Sequence, residues 1–352
     1  MAATIIFNAA TGARDVVERY LETAETENLD LLAPHVQVHS PLRERPFVGH
    51  DEFREYVLAV RHAFPDLRFE IHDALADRQS ATLNWTMHAT HEGELGFLPP
   101  SGRPVSIRAL ELYRFDDEGR VREIVTELNP IDLLVEIGLI PAEAFGGGEA
   151  PPRPVRWIMR ARYAFPRRRG LEPVTPVAPV LQADDESDPD SQTERTRRTA
   201  RHAVATYIDA GDLSDMSMVA PGLQVHTHVR PEPFQGPDGL REFLTGIRTG
   251  FPDARVTIEE IVAEGECAVV RWVMRATNTG ELFGLPPSGR RVEISALELL
   301  RCDDEGRLCE VRLKLNTVSI LRQIGMLPKR LPRPMVWAIQ RRIRRQRDQG
   351  GN

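Results

Sequence analysis

Cysteine is scarce: Cys267, Cys302 and Cys309 are the only three in 352 residues, all fall in the second half, and none forms a CxxC pair. That excludes a disulfide framework and a cysteine zinc site, and predicts reduced, buried thiols in a cytoplasmic protein. Long apolar runs are missing too. No window approaches the roughly 18 uninterrupted apolar residues of a membrane-spanning helix. The opening "MAATIIFNAATGAR" has neither a basic start nor a sustained apolar stretch, so it does not read as a signal peptide. Positive charge is not in excess, with 45 Lys and Arg against 52 Asp and Glu and a net charge of −7. A general nucleic-acid binder needs the opposite balance, because phosphate is attracted by positive potential. HExxH, GxSxG, P-loop and dinucleotide fingerprints are all absent, so no metal or nucleotide cofactor is predicted.

What the chain does have is itself, twice. "GELGFLPPSGR" begins at Gly93 and "GELFGLPPSGR" at Gly280. The same offset sets Phe64-Pro65-Asp66 on Phe251-Pro252-Asp253, Gly49 on Gly236 and Trp85 on Trp272. More than half of the positions from Gly93 to Pro141 are identical to those from Gly280 to Pro328. The period is far longer than a solenoid repeat, so each copy is predicted to be a complete domain. Between them "PRRRGLEPVTPVAPVLQADDESDPDSQTER" is too poor in large apolar residues to build a core and reads as a linker. The expected organisation is domain 1 over residues 1–165, a linker over 166–195 and domain 2 over 196–352, with the two domains pairing within the chain. Each copy ends in an arginine-rich tail with one Trp, from Pro152 and from Pro332, whose apolar stripe is expected to cap its own domain, with a role on anionic lipid or RNA as the alternative.

Within a copy the pattern changes from helix to strand. Val16, Val17, Tyr20 and Leu21, then Phe53, Tyr56, Val57, Val60 and Phe64, recur at helical spacing. Four alternating runs follow, beginning with "LRFEIHDAL" and "SATLNWTMHAT". Helices first and a long antiparallel meander after them predict an α+β domain.

The strand "PVSIRALELYRF" carries the most chemistry. One face reads Val105, Ile107, Ala109, Glu111, Tyr113 and Phe115; in the second copy it reads Val292, Ile294, Ala296, Glu298, Leu300 and Cys302. A single carboxyl group in an apolar row should hold its proton to a higher pH, which suits it to proton transfer near neutrality. An arginine across the sheet, or a place at the strand's wet edge, would cancel the effect. The next strand turns Thr126 inward in one copy and Leu313 in the other.

Other polar residues recur. His39 and His226 end short strands, and Asp66 and Asp253 follow Phe-Pro. A histidine can exchange a proton near pH 7 and an aspartate can orient it, although strand-end and turn roles are the structural alternatives. His91 is matched by Asn278, so chemistry on that imidazole would belong to the first copy alone. The candidate catalytic residues are therefore Glu111, His39, Asp66 and His91. The candidate binding residues are Tyr20, Trp85, Thr126 and Asn129, with Tyr207, His226, Asp253, Trp272, Glu298 and Asn316 in the second copy.

The ordered set "VHSP", "FPDLRFEI", "THEGELGFLPPSGRPV", "ELYRFDDEGRVREI" and "LLVEIGLIP" resembles the SnoaL-like polyketide cyclase family of the NTF2-like superfamily, over most of both copies. The resemblance implies two cone-shaped domains, each a curved antiparallel sheet wrapped over helices around an apolar pocket. It makes "LPPSGR" a loop at the pocket mouth, stiffened by its prolines. It also implies cofactor-free ring closure by an acidic residue on a bulky apolar metabolite. Where the family usually carries a pattern similar to "EHWDxxD", this chain reads "EIVTELN" from Glu123 and "EVRLKLN" from Glu310. Thr126 and Leu313 stand at the first aspartate and Asn129 and Asn316 at the second, and none of them can act as a general base. Two readings follow. One is a cyclase, isomerase or hydrolase centred on Glu111, mainly in the first copy. The other is a non-catalytic binder of hydrophobic small molecules whose second copy serves as a built-in dimer partner.

Overall fold

The computed structural model describes residues 8–41, 43, 45–77, 79–140, 191–327 and 333–350. The first tail from Pro152 and the linker as far as Asp190 lie outside the described residues. The chain divides into two compact units, Met1–Pro141 together with Arg330–Asn352, and Ala142–Lys329.

In the first unit, α1 (Ala9–Val16) runs on as a π-helical turn over Val17–Glu22, and α2 (Gly49–Ala63) follows after β1 (Leu32–His39) and β2 (Phe47–Val48). Asn8 starts α1 by accepting a hydrogen bond from the Thr11 amide at 3.2 Å. Then come β3 (Arg68–Asp77), β4 (Ser80–Thr90), β5 (Pro104–Phe115), β6 (Val121–Leu128) and the short α3 (Pro130–Glu136). The strands form one sheet in the order β2-β1-β6-β5-β4-β3. Its meander is antiparallel, and β1 joins β6 in parallel. The alternation of β5 does what it predicted: Val105, Ile107, Ala109, Tyr113 and Phe115 enter a core with Val16, Tyr20, Phe53 and Val57 from the helices.

The β5–β6 hairpin is set by "DDEGR". Gly119 turns with φ +77°, a conformation that costs glycine little. Asp116 accepts from the amides of Glu118 and Arg120 at 3.1 and 2.8 Å. Gly93 is required for another reason. A Cβ there would lie 1.8 Å from the carbonyl oxygen of His62, as one at Gly280 would lie 1.7 Å from that of Thr249. This close approach locks the strand-connecting loop onto the end of the second helix in both units.

The second unit repeats the plan with α4 (Gln192–His202), continued as a π-helix over Ala203–Ala210, then β7 (Val219–His226), β8 (Phe234–Gln235) and α5 (Gly236–Gly250). Strands β9 (Arg255–Glu264), β10 (Cys267–Thr277), β11 (Arg291–Cys302) and β12 (Leu308–Leu315) and the short α6 (Thr317–Gln323) complete it. The sheet order is β8-β7-β12-β11-β10-β9. Helix α4 begins inside the stretch expected to be linker, because Ser191 caps it by accepting from the Glu194 amide at 3.2 Å. All three cysteines are free thiols. Among the described residues no helix is long and apolar enough to cross a membrane.

The tail from Pro332 departs from expectation. It forms α7 (Arg333–Gly350), and instead of capping the second unit it belongs to the first. Ile343 is fully buried in the first unit's core, with Ile339 packed beside it. Gln340 donates to the Phe97 carbonyl at 3.0 Å and Gln346 to the Gly138 carbonyl at 3.3 Å. A residue pair at i and i+4 is the stripe a helix needs to dock; the periodicity identifies the stripe without specifying its receptor. Ile343→Ala removes about 2–5 kcal/mol of packing, so α7 should release. Hydrogen exchange should then rise over residues 95–103 and at Gly138 while the strands of the second unit keep their protection.

Candidate active site

Glu111 sits at the centre of the first sheet with 2% of its surface exposed. In the register of the strands it lies directly opposite Thr126 on β6 and Leu83 on β4. Opposed side chains on one face are close enough to bond, and the Thr126 hydroxyl donates to Glu111 Oε1 at 2.7 Å. Tyr113, two residues on and therefore on the same face, donates its hydroxyl to Oε2 at 2.5 Å. Tyr56 arrives from α2 and brings its hydroxyl toward Thr126 and toward Ser40, just past the end of β1. Trp85, diagonal to Glu111 on β4, completes the wall, set edge-on to Phe69 with ring centroids 4.8 Å apart.

Burial is the largest influence on the carboxyl group and raises its pKa above the usual carboxylate range. The hydroxyls of Tyr113 and Thr126 pull the other way. Trp85 adds to that pull, although its buried Nε1 makes no hydrogen bond of normal geometry. The phenols of Tyr56 and Tyr113 are pushed up by burial first and by the nearby carboxylate second. Both therefore stay protonated, and Tyr113 remains a donor to Glu111. The result is a carboxyl group that keeps its proton to a higher pH than a solvated one, held in place by hydroxyls on both oxygens.

Three of the sequence candidates thus meet: Glu111, Thr126 and Trp85. The others hold structure elsewhere. His39 is half-exposed and faces Glu123 at 3.3 Å. Asp66 accepts from the Thr90 amide and hydroxyl, each at 2.7 Å, and these bonds hold its pKa low. It lines an open groove of about 540 Å³ whose polar wall includes His88 and Ser106 from the outward face of the sheet. Tyr20 accepts from the Leu31 amide at 3.2 Å and so ties the first helix to the entry of β1. Asn129 caps α3, accepting from the Ile131 amide at 3.3 Å. His91 is fully buried and accepts at Nδ1 from the Ser101 amide at 3.3 Å. Its backbone pairs with Gly102 and Arg103 at 2.9 Å each, so it braces the "LPPSGR" loop. Burial lowers its pKa, and no hydrogen bond connects it to Glu111.

The second unit keeps the carboxyl group and loses the hydroxyls. Glu298 is 5% exposed and lies opposite Leu313. Phe243 stands for Tyr56, Leu300 for Tyr113 and Leu313 for Thr126. One donor remains, the indole of Trp272 at 2.8 Å. Asn278 braces its loop as His91 does, accepting from the Ser288 amide at 2.9 Å. Asp253 holds the Thr277 amide at 2.7 Å, Asn316 caps α6 through the Ser319 amide at 2.9 Å, and His226 faces Glu310 at 3.7 Å. Tyr207 is buried edge-on to His202. Among the described residues, no group of three or more His, Cys, Asp or Glu side chains could hold a metal ion.

Tyr113, Tyr56 and Ser40 are the residues that sequence reasoning missed as site members. For the two tyrosines the signal was present in the difference between the copies: like Thr126, each is a hydroxyl in the first copy and hydrocarbon in the second, whereas Ser40 is matched by Thr227.

A sequence profile described as "SnoaL-like polyketide cyclase" matches residues 14–136 and 198–324. Among solved structures, AclR from Streptomyces galilaeus is 26% identical over 38% of this chain and 97% of its own, with a TM-score of 0.33. IdmH from Streptomyces antibioticus is 27% identical over 37% and 98%, with a TM-score of 0.33. TsrD from Streptomyces laurentii is 22% identical over 38% and 96%, with a TM-score of 0.34. No curated protein matches the chain.

Burial raises the Glu298 pKa to about 7, against an ordinary value of 4.5. The folded state then binds more protons than the unfolded state between those values. The stabilisation from the protonated form is complete below about pH 4.5 and is lost as pH rises through about 7. The loss is on the order of 3 kcal/mol. Glu298→Gln should flatten this slope and leave the second unit more stable than the parent at pH 8, read by urea unfolding from pH 5 to 8.

Proposed function

This chain belongs to the SnoaL-like polyketide cyclase family, and we propose that its first copy closes a ring in a bulky apolar, polyketide-like metabolite by acid/base catalysis at Glu111. The observation that carries the reading is the buried carboxyl group with a hydroxyl on each oxygen, an arrangement the second copy lacks.

The ionised Glu111 takes a proton from a carbon between two carbonyls. The electron pair left on that carbon attacks a second carbonyl of the same chain and forms the new carbon–carbon bond. The displaced π pair moves to oxygen, which recovers the proton from Glu111. Substrate and product are isomers, so atoms and electrons balance without an oxidant, a reductant or a group carrier. Holding the chain folded supplies much of the acceleration, since an intramolecular reaction avoids the entropy of encounter. Thr126 and Tyr113 fix the carboxylate's orientation, and Tyr56 with Ser40 extends the hydroxyl chain from the buried acid to the half-exposed end of β1. In this reading Trp85 and the apolar face of β5 bind the substrate, and the second copy pairs with the first in place of a separate subunit.

A panel of linear poly-β-ketone methyl esters tests the proposal, with ring closure followed as an isomer of unchanged mass and proton abstraction as deuterium uptake from D₂O. Glu111→Gln, which keeps the shape, should lower turnover by roughly 10²- to 10⁴-fold. Thr126→Val and Tyr113→Phe should cause smaller losses and shift the pH profile, and Glu298→Gln should leave turnover intact. Turnover unchanged in Glu111→Gln, or ligands recovered unaltered from parent and variant alike, would overturn it.

A further inference from the structure

We propose that the outward face of α7, with Phe97 beside it, is a docking surface for an anionic phospholipid membrane. The helix carries six arginines and a single aspartate in a chain whose net charge is −7. Its inward stripe is already used: Ile339 and Ile343 pack on the first unit and Gln340 and Gln346 bond to it. The opposite stripe, at i, i+4, i+7 and i+8, consists of Trp337, Arg341, Arg344 and Arg345, all exposed. Trp337 is 60% exposed and Arg341 lies over its ring at 5.1 Å. Phe97, 41% exposed, belongs to the loop whose carbonyl receives Gln340. The surface is therefore one basic helix face flanked by two exposed aromatic rings.

Two features select a lipid surface. Clustered arginines on an amphipathic helix are attracted to anionic headgroups, and a tryptophan with an apolar body and a polar N–H settles at the headgroup level. A single strand of nucleic acid would need a charged groove to follow its backbone. Here the arginines lie on the convex outer side of a helix, a shape that fits a flat surface. The acidic remainder of the chain is repelled by the same headgroups, so the helix side turns toward the membrane. Contact is peripheral, because the helix keeps its apolar stripe on its own unit.

The test uses the full chain and flotation with vesicles of equal phosphatidylglycerol and phosphatidylcholine, against vesicles of phosphatidylcholine alone. Binding should favour the anionic vesicles, weaken steeply between low and physiological salt as screening sets in, and move the tryptophan emission to the blue. The triple variant Arg341→Gln, Arg344→Gln, Arg345→Gln should bind about a hundredfold more weakly, and Trp337→Phe should lose most of the emission shift. Both variants leave the inward stripe intact, and an unchanged unfolding midpoint checks that α7 stays docked. Equal binding to the two vesicle types, undiminished binding by the triple variant, or retention of a homopolymer RNA in place of the vesicles would overturn the proposal.

Discussion

The first unit is organised around a carboxyl group removed from water. Burying an unpaired carboxylate costs several kcal/mol even after the protein relaxes, whereas a hydrogen bond to a charged group returns about 1.5–3 kcal/mol. Two hydroxyl donors offset a good part of that cost without cancelling it, and burial remains the dominant influence on the Glu111 proton. This constraint reaches outward. Thr126 must face Glu111 across the β5–β6 register, Tyr113 must sit two residues along, and α2 must bring Tyr56 to the same spot. A one-residue slip of β5 would turn the acid to the other face and remove its partners together.

The comparison of the two copies separates scaffold from chemistry within one molecule. Asp66 and Asp253 tie the same loop to the same strand end. His91 and Asn278 differ chemically, yet both offer a side-chain acceptor to the amide of the serine in "PPSG". An acceptor is all that bend needs, so the imidazole is read most simply as a brace. The hydroxyls around the acid behave otherwise. Phe243, Leu300 and Leu313 occupy the volumes of Tyr56, Tyr113 and Thr126 without their donors. The second fold holds with a lone indole on its glutamate, so the hydroxyl set is not a condition of folding.

Much of this was legible in the sequence because it is periodic. The duplication, the helix-then-meander order and the inward row of β5 all follow from spacing, and the row gave Glu111 and Glu298 directly. Thr126 was legible as the residue facing inward on the next strand. What spacing does not encode is the choice among polar roles. Asp66, Asn129 and Tyr20 spend their side chains on backbone amides, and those partners depend on loop paths that leave no period in the sequence. Tyr56 was placed on a buried helical stripe, but a stripe is a statement about burial, and only the packing of α2 on the sheet shows that its hydroxyl comes near enough for the acid's charge to act on it.

The same limit explains α7. An amphipathic pattern establishes that a helix has an apolar face and leaves open which surface covers it. A duplicated chain offers two similar receptors, so proximity in sequence is a poor guide to the choice. Ile343 completes the core of the first unit from the far end of the chain, and the first unit is consequently not a contiguous piece of sequence. Residues 1–165 alone would expose the apolar ground under Ile339 and Ile343 and leave the carbonyls of Phe97 and Gly138 without their glutamine donors. The repeat boundaries mark units of ancestry in this chain, and the packing of α7 makes the first folding unit span both ends of the sequence.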